Sequence, residues 1–482
     1  MPHVVVVGAG MAGLATAWDL VAAGEPGLRV TVLEAAPDTG GKLRTGTVAG
    51  LAVDVGAESV LARRPEAVDL AREAGLGDAL THPGGRAATV WSRGAHHPLP
   101  PRTLMGVPSD PDTARGLLDD AEVERVRAER SRPLAPLEAD DVAVGALVED
   151  RLGAAVVDRL VEPLLAGVYA GHARRLSARA TVPALWAAAR AGEPLLDAAA
   201  RAAAGATATA GGHPSPVFAG YRGGLGRMAA DLTQALRERG VDVRTGTTVR
   251  GLRRTGTGWA LTVGPTVAEE EADADAVVLA VPAAPAARLL HDVAPDAAAA
   301  LGEIGTASMA VVTLAVPRRV LAPVLEGAGV AGSTGFLVPP TEPVRVKAAT
   351  FTFAKWAWVD ALDPELVVLR ASVGRAGEEA ALQRDDADLV ATVVDDLSTI
   401  LRGRVPAPVG AHVQRWGGGL PQYAVGHLDR VARVRDAVAA HPGLAVAGAS
   451  YDGVGVPAVV ATGRAAAARV LEHLRAHPPA GG

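Results

Sequence analysis

Two glycine-rich turns stand near opposite ends of the 482-residue chain, and each has the make-up of an anion cradle. The first is Gly8, Ala9, Gly10, Met11, Ala12, Gly13, a complete GxGxxG. In such a motif Gly8 makes the turn, Gly10 lets a pyrophosphate approach the backbone, and Gly13 lets the following helix lie close to the preceding strand. The N-terminus of that helix then faces the phosphates with unpaired N–H groups and a favourable dipole. Glu34, about 20 residues farther on, is placed to accept hydrogen bonds from a ribose diol, and its charge disfavours a 2′-phosphate. FAD or NAD fits this opening; NADP does not.

The second turn is Gly453, Val454, Gly455, Val456, Pro457. Its proline falls in the first turn of a helix, where a missing N–H costs nothing, and free N–H groups remain at the positive dipole end. Read alone, this is an ordinary helix cap. Set against the pyrimidine side of an isoalloxazine ring, the same donors would stabilise the negative charge of a reduced flavin. A plain NAD-binding fold has no need of a second glycine turn so late in the chain, whereas a cofactor wrapped by both ends does.

The elements that must position these turns are readable from periodicity. Val4–Val7 is a valine run suited to a parallel strand buried on both faces. Leu14, Ala17, Trp18, Val21 and Ala22 then recur at helical spacing as far as Gly24, and Arg29–Leu33 is a second strand ending at Glu34. The stretch from about Asp110 to Ala204 is rich in helix formers, with Asp119–Arg130 charged nearly all round and Val142–Ala166 more amphipathic. A Thr, Gly, His, Pro and Ser connector is predicted over Thr207–Pro216, followed by a helix through Leu236. Val241–Arg244, Val249–Arg253, Trp259–Val263 and Ala276–Val281 are strand-like. Ala310–Val316, Ala348–Phe353 and Val367–Val373 suggest a mostly antiparallel second sheet, and Leu444–Ala447 is a last strand leading into the second glycine turn.

Length divided by a domain size of roughly 150 gives about three folding units, enough to enclose a cofactor. Forty-seven basic against 53 acidic side chains leave a net charge of −6, which argues against nucleic-acid binding through phosphate neutralisation. Cysteine is absent, so disulfides, thiolate nucleophiles, Cys-ligated metals and a thioether-tethered flavin are excluded. Aromatic residues make up only 3%, too few for aromatic cages. No stretch reaches the ~18 to 20 uninterrupted apolar residues of a membrane span, and His3–Val7 reads as a strand and not as a signal peptide, so a cytoplasmic protein is expected. The histidines form no ligand cluster, His172 and His427 standing alone, and no metal is expected.

After Glu34 come Gly40, Gly41, Lys42, Leu43 and Arg44, then Asp54, Val55, Gly56, Ala57, Glu58 and Ser59. With these the sequence resembles the flavin amine oxidase and protoporphyrinogen oxidase superfamily, whose dinucleotide motif continues into a GG-plus-basic turn. Within it the sequence is most similar to the bacterial coproporphyrinogen III oxidase branch. That likeness is carried by Glu162–Gly171 with Leu176 and Ser177, by Arg415 and Trp416, by Leu420–His427, and by Gly448–Pro457, spread over nearly the whole chain. One departure is Ala57, where relatives often carry proline.

The resemblance implies an α/β fold: a discontinuous Rossmann-like FAD-binding domain, a mixed-sheet substrate domain and a helical insertion. Residues 1–90, 213–282 and 415–482 are expected to form the FAD-binding parts. Residues 91–212 would supply the helical insertion and part of the substrate domain, and 283–414 the rest of that domain. Gly8 to Gly13, Glu34 and Ala35 would hold the ADP half of FAD, and Lys42 the phosphate and ribityl region. Gly56, Ala57, Glu58 and Ser59 would form a loop beside the flavin, Val249 would bond adenine through its backbone, and Trp416, Gly448, Gly453, Val454, Gly455 and Val456 would close on the ring. Arg415 could support the flavin as well. Val168 and Tyr169 match a stretch lining the substrate cavity.

The substrate so implied is coproporphyrinogen III, a flexible apolar macrocycle with four propionates. It needs an apolar slot rimmed by cations, which arginine serves best through bidentate pairing. Arg63 and Arg64 follow the flavin loop and are the first candidates, with a solvated basic pair at a helix start as the alternative. Lys355 is a further candidate, with an exposed strand-end lysine as its alternative. No side chain is assigned a catalytic role, because flavin N5 would be the hydride acceptor and dioxygen the final oxidant, yielding hydrogen peroxide. The rival readings are a protoporphyrinogen IX oxidase, a flavin amine oxidase or desaturase, and a nonenzymatic FAD-binding member. A downstream haem-pathway enzyme is a candidate partner, and contact of the helical insertion with a membrane surface is left open.

Overall fold

The computed structural model describes residues 1–207 and 216–477, so most of the connector expected over Thr207–Pro216 lies outside the described residues. Its cofactor-side sheet has five parallel strands in the order Asp242–Arg244, Arg29–Leu33, His3–Val7, Ala276–Leu279, Leu444–Val446. His3–Val7 is buried along its whole length at the centre, which is why an unbroken valine run suits it better than an alternating one. Apart from His3–Val7 and Arg29–Leu33, neighbours in this sheet are far apart in sequence, so the sheet draws on separate stretches of the chain. Because every strand runs the same way, Gly8, Glu34, Ala280 and Ala447 follow their strands along one edge. Open α/β sheets bind ligands at that edge.

Helices Met11–Ala22 and Leu225–Glu238, together with the C-terminal helix Val456–Ala476, cover one face of this sheet around a core that includes Val4, Val6, Leu14, Leu232 and Val460. The other face is covered by Ala283–Leu290, Pro295–Gly302 and His427–Ala439, with the antiparallel strands Val249–Arg254, Trp259–Val263 and Glu270–Ala274 beside them.

The second sheet has seven strands in the order Gly410–Pro421, Thr306–Pro317, Leu366–Val373, Val346–Phe351, Gly335–Leu337, Thr89–Ser92, Ala95–Pro98. Its pairings are antiparallel except where Gly335–Leu337 meets Thr89–Ser92. Helices Arg318–Gly327 and Asp386–Ile400 bury one face of it. A helical lobe, built from Asp120–Arg127 to Leu195–Thr207, has its own apolar core around Leu147, Leu160, Leu165 and Leu185.

The segment Asp119–Arg130 is less uniformly solvated than its charges suggest. Asp119 caps the helix reciprocally with Glu122, but Glu129 is fully buried in the turn that follows. The Glu129 carboxylate accepts from the N–H groups of Leu195 (2.9 Å) and Leu196 (3.1 Å), so it satisfies the start of helix Leu195–Thr207. Val142–Ala166 is likewise broken, at Gly153, where φ is +101°, and resumes through a widened turn into Glu162–Tyr169. No helix among the described residues is long and apolar enough to cross a membrane.

Candidate active site

The two glycine turns, separated by most of the sequence, lie at the starts of two helices that touch. Thr16 Oγ1 bonds the carbonyl of Gly463 at 3.0 Å, and a Cβ built on Gly463 would sit 2.3 Å from the Ala12 carbonyl oxygen. Glycine at 463 therefore permits the close packing of these two helices. The glycines of the first turn divide by function. A Cβ on Gly8 would meet the Ala280 carbonyl at 2.6 Å and one on Gly13 the Gly8 carbonyl at 1.9 Å, so these two serve packing. A Cβ on Gly10 would find no atom within 4 Å, and the same is true of Gly448. Open space before these backbones is what a bound dinucleotide needs, and the residues present fit a flavin nucleotide.

Around this opening the expected residues converge. Glu34 turns back to the glycine loop, its carboxylate accepting from Ala9 N (2.7 Å) and Ala36 N (2.8 Å), and Ala35 lies between. Gly40 N donates to the Ala9 carbonyl at 2.8 Å, so the GG-plus-basic turn rests directly on GxGxxG. Lys42 is next, its ammonium pKa lowered by burial, and its carbonyl accepts from Ala57 N at 3.1 Å. Gly56 lies so close that a Cβ there would be 2.0 Å from the Lys42 oxygen and 3.2 Å from the Trp416 ring. Thr247 N donates to the Glu34 carbonyl at 2.8 Å, which carries the chain past Glu34 into the strand that Val249 opens. At the C-terminal turn Gly448 N donates to Thr462 Oγ1 at 2.9 Å, Gly448 and Gly453 both have positive φ, Gly455 caps the helix, and Val456 and Pro457 open it. Val454 reaches the helical lobe and packs at its core.

Trp416 and Arg415 alternate along Gly410–Pro421 and must face opposite sides. Trp416 faces Gly56, with the Arg44 guanidinium 5.7 Å from its ring centre. Arg415 turns to Asp386 and to the carbonyls of Leu382 and Arg384, which corrects the expectation that it could support the flavin.

The helix Glu162–Tyr169 is tied to the C-terminal turn. Tyr169 is buried with its ring 5.5 Å from that of Tyr423, and burial pushes its phenol up to about 12, so it is a neutral wall and not a base. Tyr423 donates to the Ala449 carbonyl at 2.6 Å, and Gln422 Nε2 to the Tyr169 carbonyl at 2.7 Å. Val168, the neighbouring side chain, is exposed. Of the two histidines read as outside any ligand cluster, His172 Nδ1 lies 3.2 Å from the buried Glu162 carboxylate, and His427 stacks on Tyr423 at 3.7 Å between ring centres.

The cations proposed for substrate separate. Arg64 is ion-paired to Glu66 at 2.5 Å at the start of helix Glu66–Glu73, whereas exposed Arg63 has no bond to another described residue. Lys355 is neither exposed nor at a strand end. It lies in the short helix Thr352–Lys355 with its side chain 15% exposed, and its ammonium meets Glu58 at 2.5 Å. Arg370, which the sequence reading did not single out, meets the other Glu58 oxygen at 2.6 Å and also donates to the Gly56 carbonyl. Its signal was available: one charged residue in the largely apolar strand Leu366–Val373. Asp54, at the root of the same loop, accepts from Leu225 N (2.8 Å) and Gly226 N (3.0 Å), and burial raises its carboxyl to about 6. No group of three or more metal-ligating side chains occurs among the described residues.

The likeness to known proteins covers the whole chain. The coproporphyrinogen III oxidase of Mycobacterium tuberculosis is 39% identical over 475 residues, covering 98% of each chain. That of Bacillus subtilis is 30% identical over 481 residues, again with 98% coverage of both. A crystal structure from Exiguobacterium sp. 255-15, named for protoporphyrinogen oxidase, has a TM-score of 0.82 at 32% identity and covers 98% of this chain and 99% of its own. Residues 11–471 match the model of the flavin-containing amine oxidoreductases, and the chain belongs to that family, whose cofactor is a flavin.

Proposed function

We propose that the protein oxidises coproporphyrinogen III to coproporphyrin III in the cytoplasm, as a step of haem biosynthesis, with FAD as cofactor and dioxygen as electron acceptor. The observation that carries the reading is the end-to-end likeness to coproporphyrinogen III oxidases, in a chain whose two glycine turns lead into helices that pack on each other at Thr16 and Gly463. When bound, the flavin supplies a two-electron sink and passes the electrons to dioxygen as hydrogen peroxide, so the six-electron change from porphyrinogen to porphyrin takes three such rounds.

The chain's own residues bind, orient and exclude water. Gly8–Gly13, with Glu34 and Ala35, take the ADP half, and the open space before Gly10 admits the pyrophosphate. Lys42 holds the phosphate and ribityl region, and the Gly56–Ser59 loop and Trp416 flank the ring. Val249 bonds adenine through its backbone. The N–H groups of Gly455 and Val456, at a helix start, offset negative charge on the pyrimidine side. Tyr169, kept neutral by burial, gives an apolar wall to the macrocycle, and exposed Val168 extends it. Arg63 and Arg64 stand after the flavin loop to pair with propionates. Lys355 is spent on Glu58 and is left out of the propionate set.

The test supplies each porphyrinogen, in air, to the purified yellow protein and follows porphyrin fluorescence. Faster oxidation of coproporphyrinogen III than of protoporphyrinogen IX supports the reading. The reverse order makes the protein a protoporphyrinogen oxidase, and no acceleration over the spontaneous reaction overturns the assignment.

A further inference from the structure

Glu58, Lys355 and Arg370 come from three segments and meet in the interior, with side-chain exposures of 11%, 15% and 9%. Burying charge is costly, and a pair persists inside a protein only where geometry and hydrogen bonds offset desolvation. Here one carboxylate faces two cations, one on each oxygen. Burial alone would raise the Glu58 carboxyl, but the charges and hydrogen bonds of Lys355 and Arg370 hold it down to about 2, so it is ionised at any working pH. Arg370 also donates to the Gly56 carbonyl, while its Nε is buried without a partner among the described residues. The loop is thus clamped at Gly56 and Glu58 from the substrate-domain sheet. The other acid nearby, Asp54, directs its carboxylate to the N-terminus of helix Leu225–Glu238, whose dipole offsets it.

We propose that Lys355 and Arg370 are positioning residues that act through Glu58. They fix the Asp54–Ser59 loop beside the flavin, and their excess of positive charge sets the flavin's reduction potential. This rests on the reading that the loop flanks a flavin. The physical reason is Coulombic: a fixed charge in a poorly screened interior acts on a neighbouring group that gains negative charge on reduction. Removing a cation must then lower the midpoint potential, and removing the carboxylate must raise it. A loop that is merely loosened has no reason to answer in opposite directions to the two changes.

The experiment measures the midpoint potential of the flavin-loaded full chain by anaerobic dye-linked titration in four variants. Lys355→Met and Arg370→Met are expected to shift it downward and Glu58→Gln upward. The double variant Glu58→Gln, Lys355→Met, which restores the charge balance, is expected to return it near the wild-type value. If Arg370→Met fails to fold, Lys355→Met carries the same sign. Shifts of one sign in all variants, or no shift, overturn the inference while leaving the flavin reading standing. Wild-type protein that takes up no flavin overturns both.

Discussion

A residue's task here is set by what lies one bond beyond it. His427 is fully buried, stacked on Tyr423, and bonded through Nε2 to the Tyr451 carbonyl at 3.1 Å. Burial dominates and pushes its imidazolium pKa from 6.5 down to about 4. A base whose folded pKa is lowered contributes stability that is complete above pH 6.5 and is lost as the pH falls toward 4, in total about 3 kcal/mol. Urea unfolding at pH 7 and pH 4.5 is expected to reveal that loss in the wild type and a much smaller pH dependence in His427→Gln; equal losses would contradict the assignment. Such a role is invisible in sequence, where His427 is one histidine after a glycine. Glu58 behaves similarly. The sequence places it in a loop motif, but its partners lie 297 and 312 positions away, and only the fold shows that Lys355 is committed to it. Arg415 and Trp416 mark the reverse limit: the motif was legible, but strand alternation sends the arginine out of the site.

At the scale of elements, local pattern carried far. The valine strand, the GxGxxG helix, the acidic end of the second strand and the proline-led C-terminal helix all stand where periodicity places them, because each is fixed by burial, backbone freedom or a helix start. Less legible were elements whose shape depends on distant partners: the interrupted helix Ala154–Tyr169, the buried Glu129 turn and the short Thr352–Lys355 helix. The contact most consequential for the site joins helices Met11–Ala22 and Val456–Ala476 at Gly463. A leucine there must displace the Ala12 carbonyl or push the helices apart, with a cost of about 1–3 kcal/mol for overpacking. Gly463→Leu is expected to lower stability and to weaken flavin affinity at least tenfold, measured by flavin fluorescence titration. Unchanged affinity would mean that the register of the two helices does not build the cradle.

The whole molecule explains why the chain is interleaved. The five-stranded sheet draws strands from positions near 3, 29, 242, 276 and 444, so every return of the chain adds one piece to the same carboxyl edge. The seven-stranded sheet contributes Trp416 and Arg370, which both meet Gly56, and the helical lobe contributes Tyr169, which packs on Tyr423. This architecture suits a reaction in which the cofactor performs the electron transfer while the protein supplies an apolar and oriented enclosure. The most direct test mixes the flavin-loaded protein with coproporphyrinogen III without oxygen and follows the flavin absorption bands. The account predicts rapid bleaching as each flavin takes two electrons from the porphyrinogen, without full conversion to porphyrin, which needs three such rounds, and recovery of the bands with porphyrin formation when air is admitted. A flavin that stays oxidised in the presence of the porphyrinogen would contradict it.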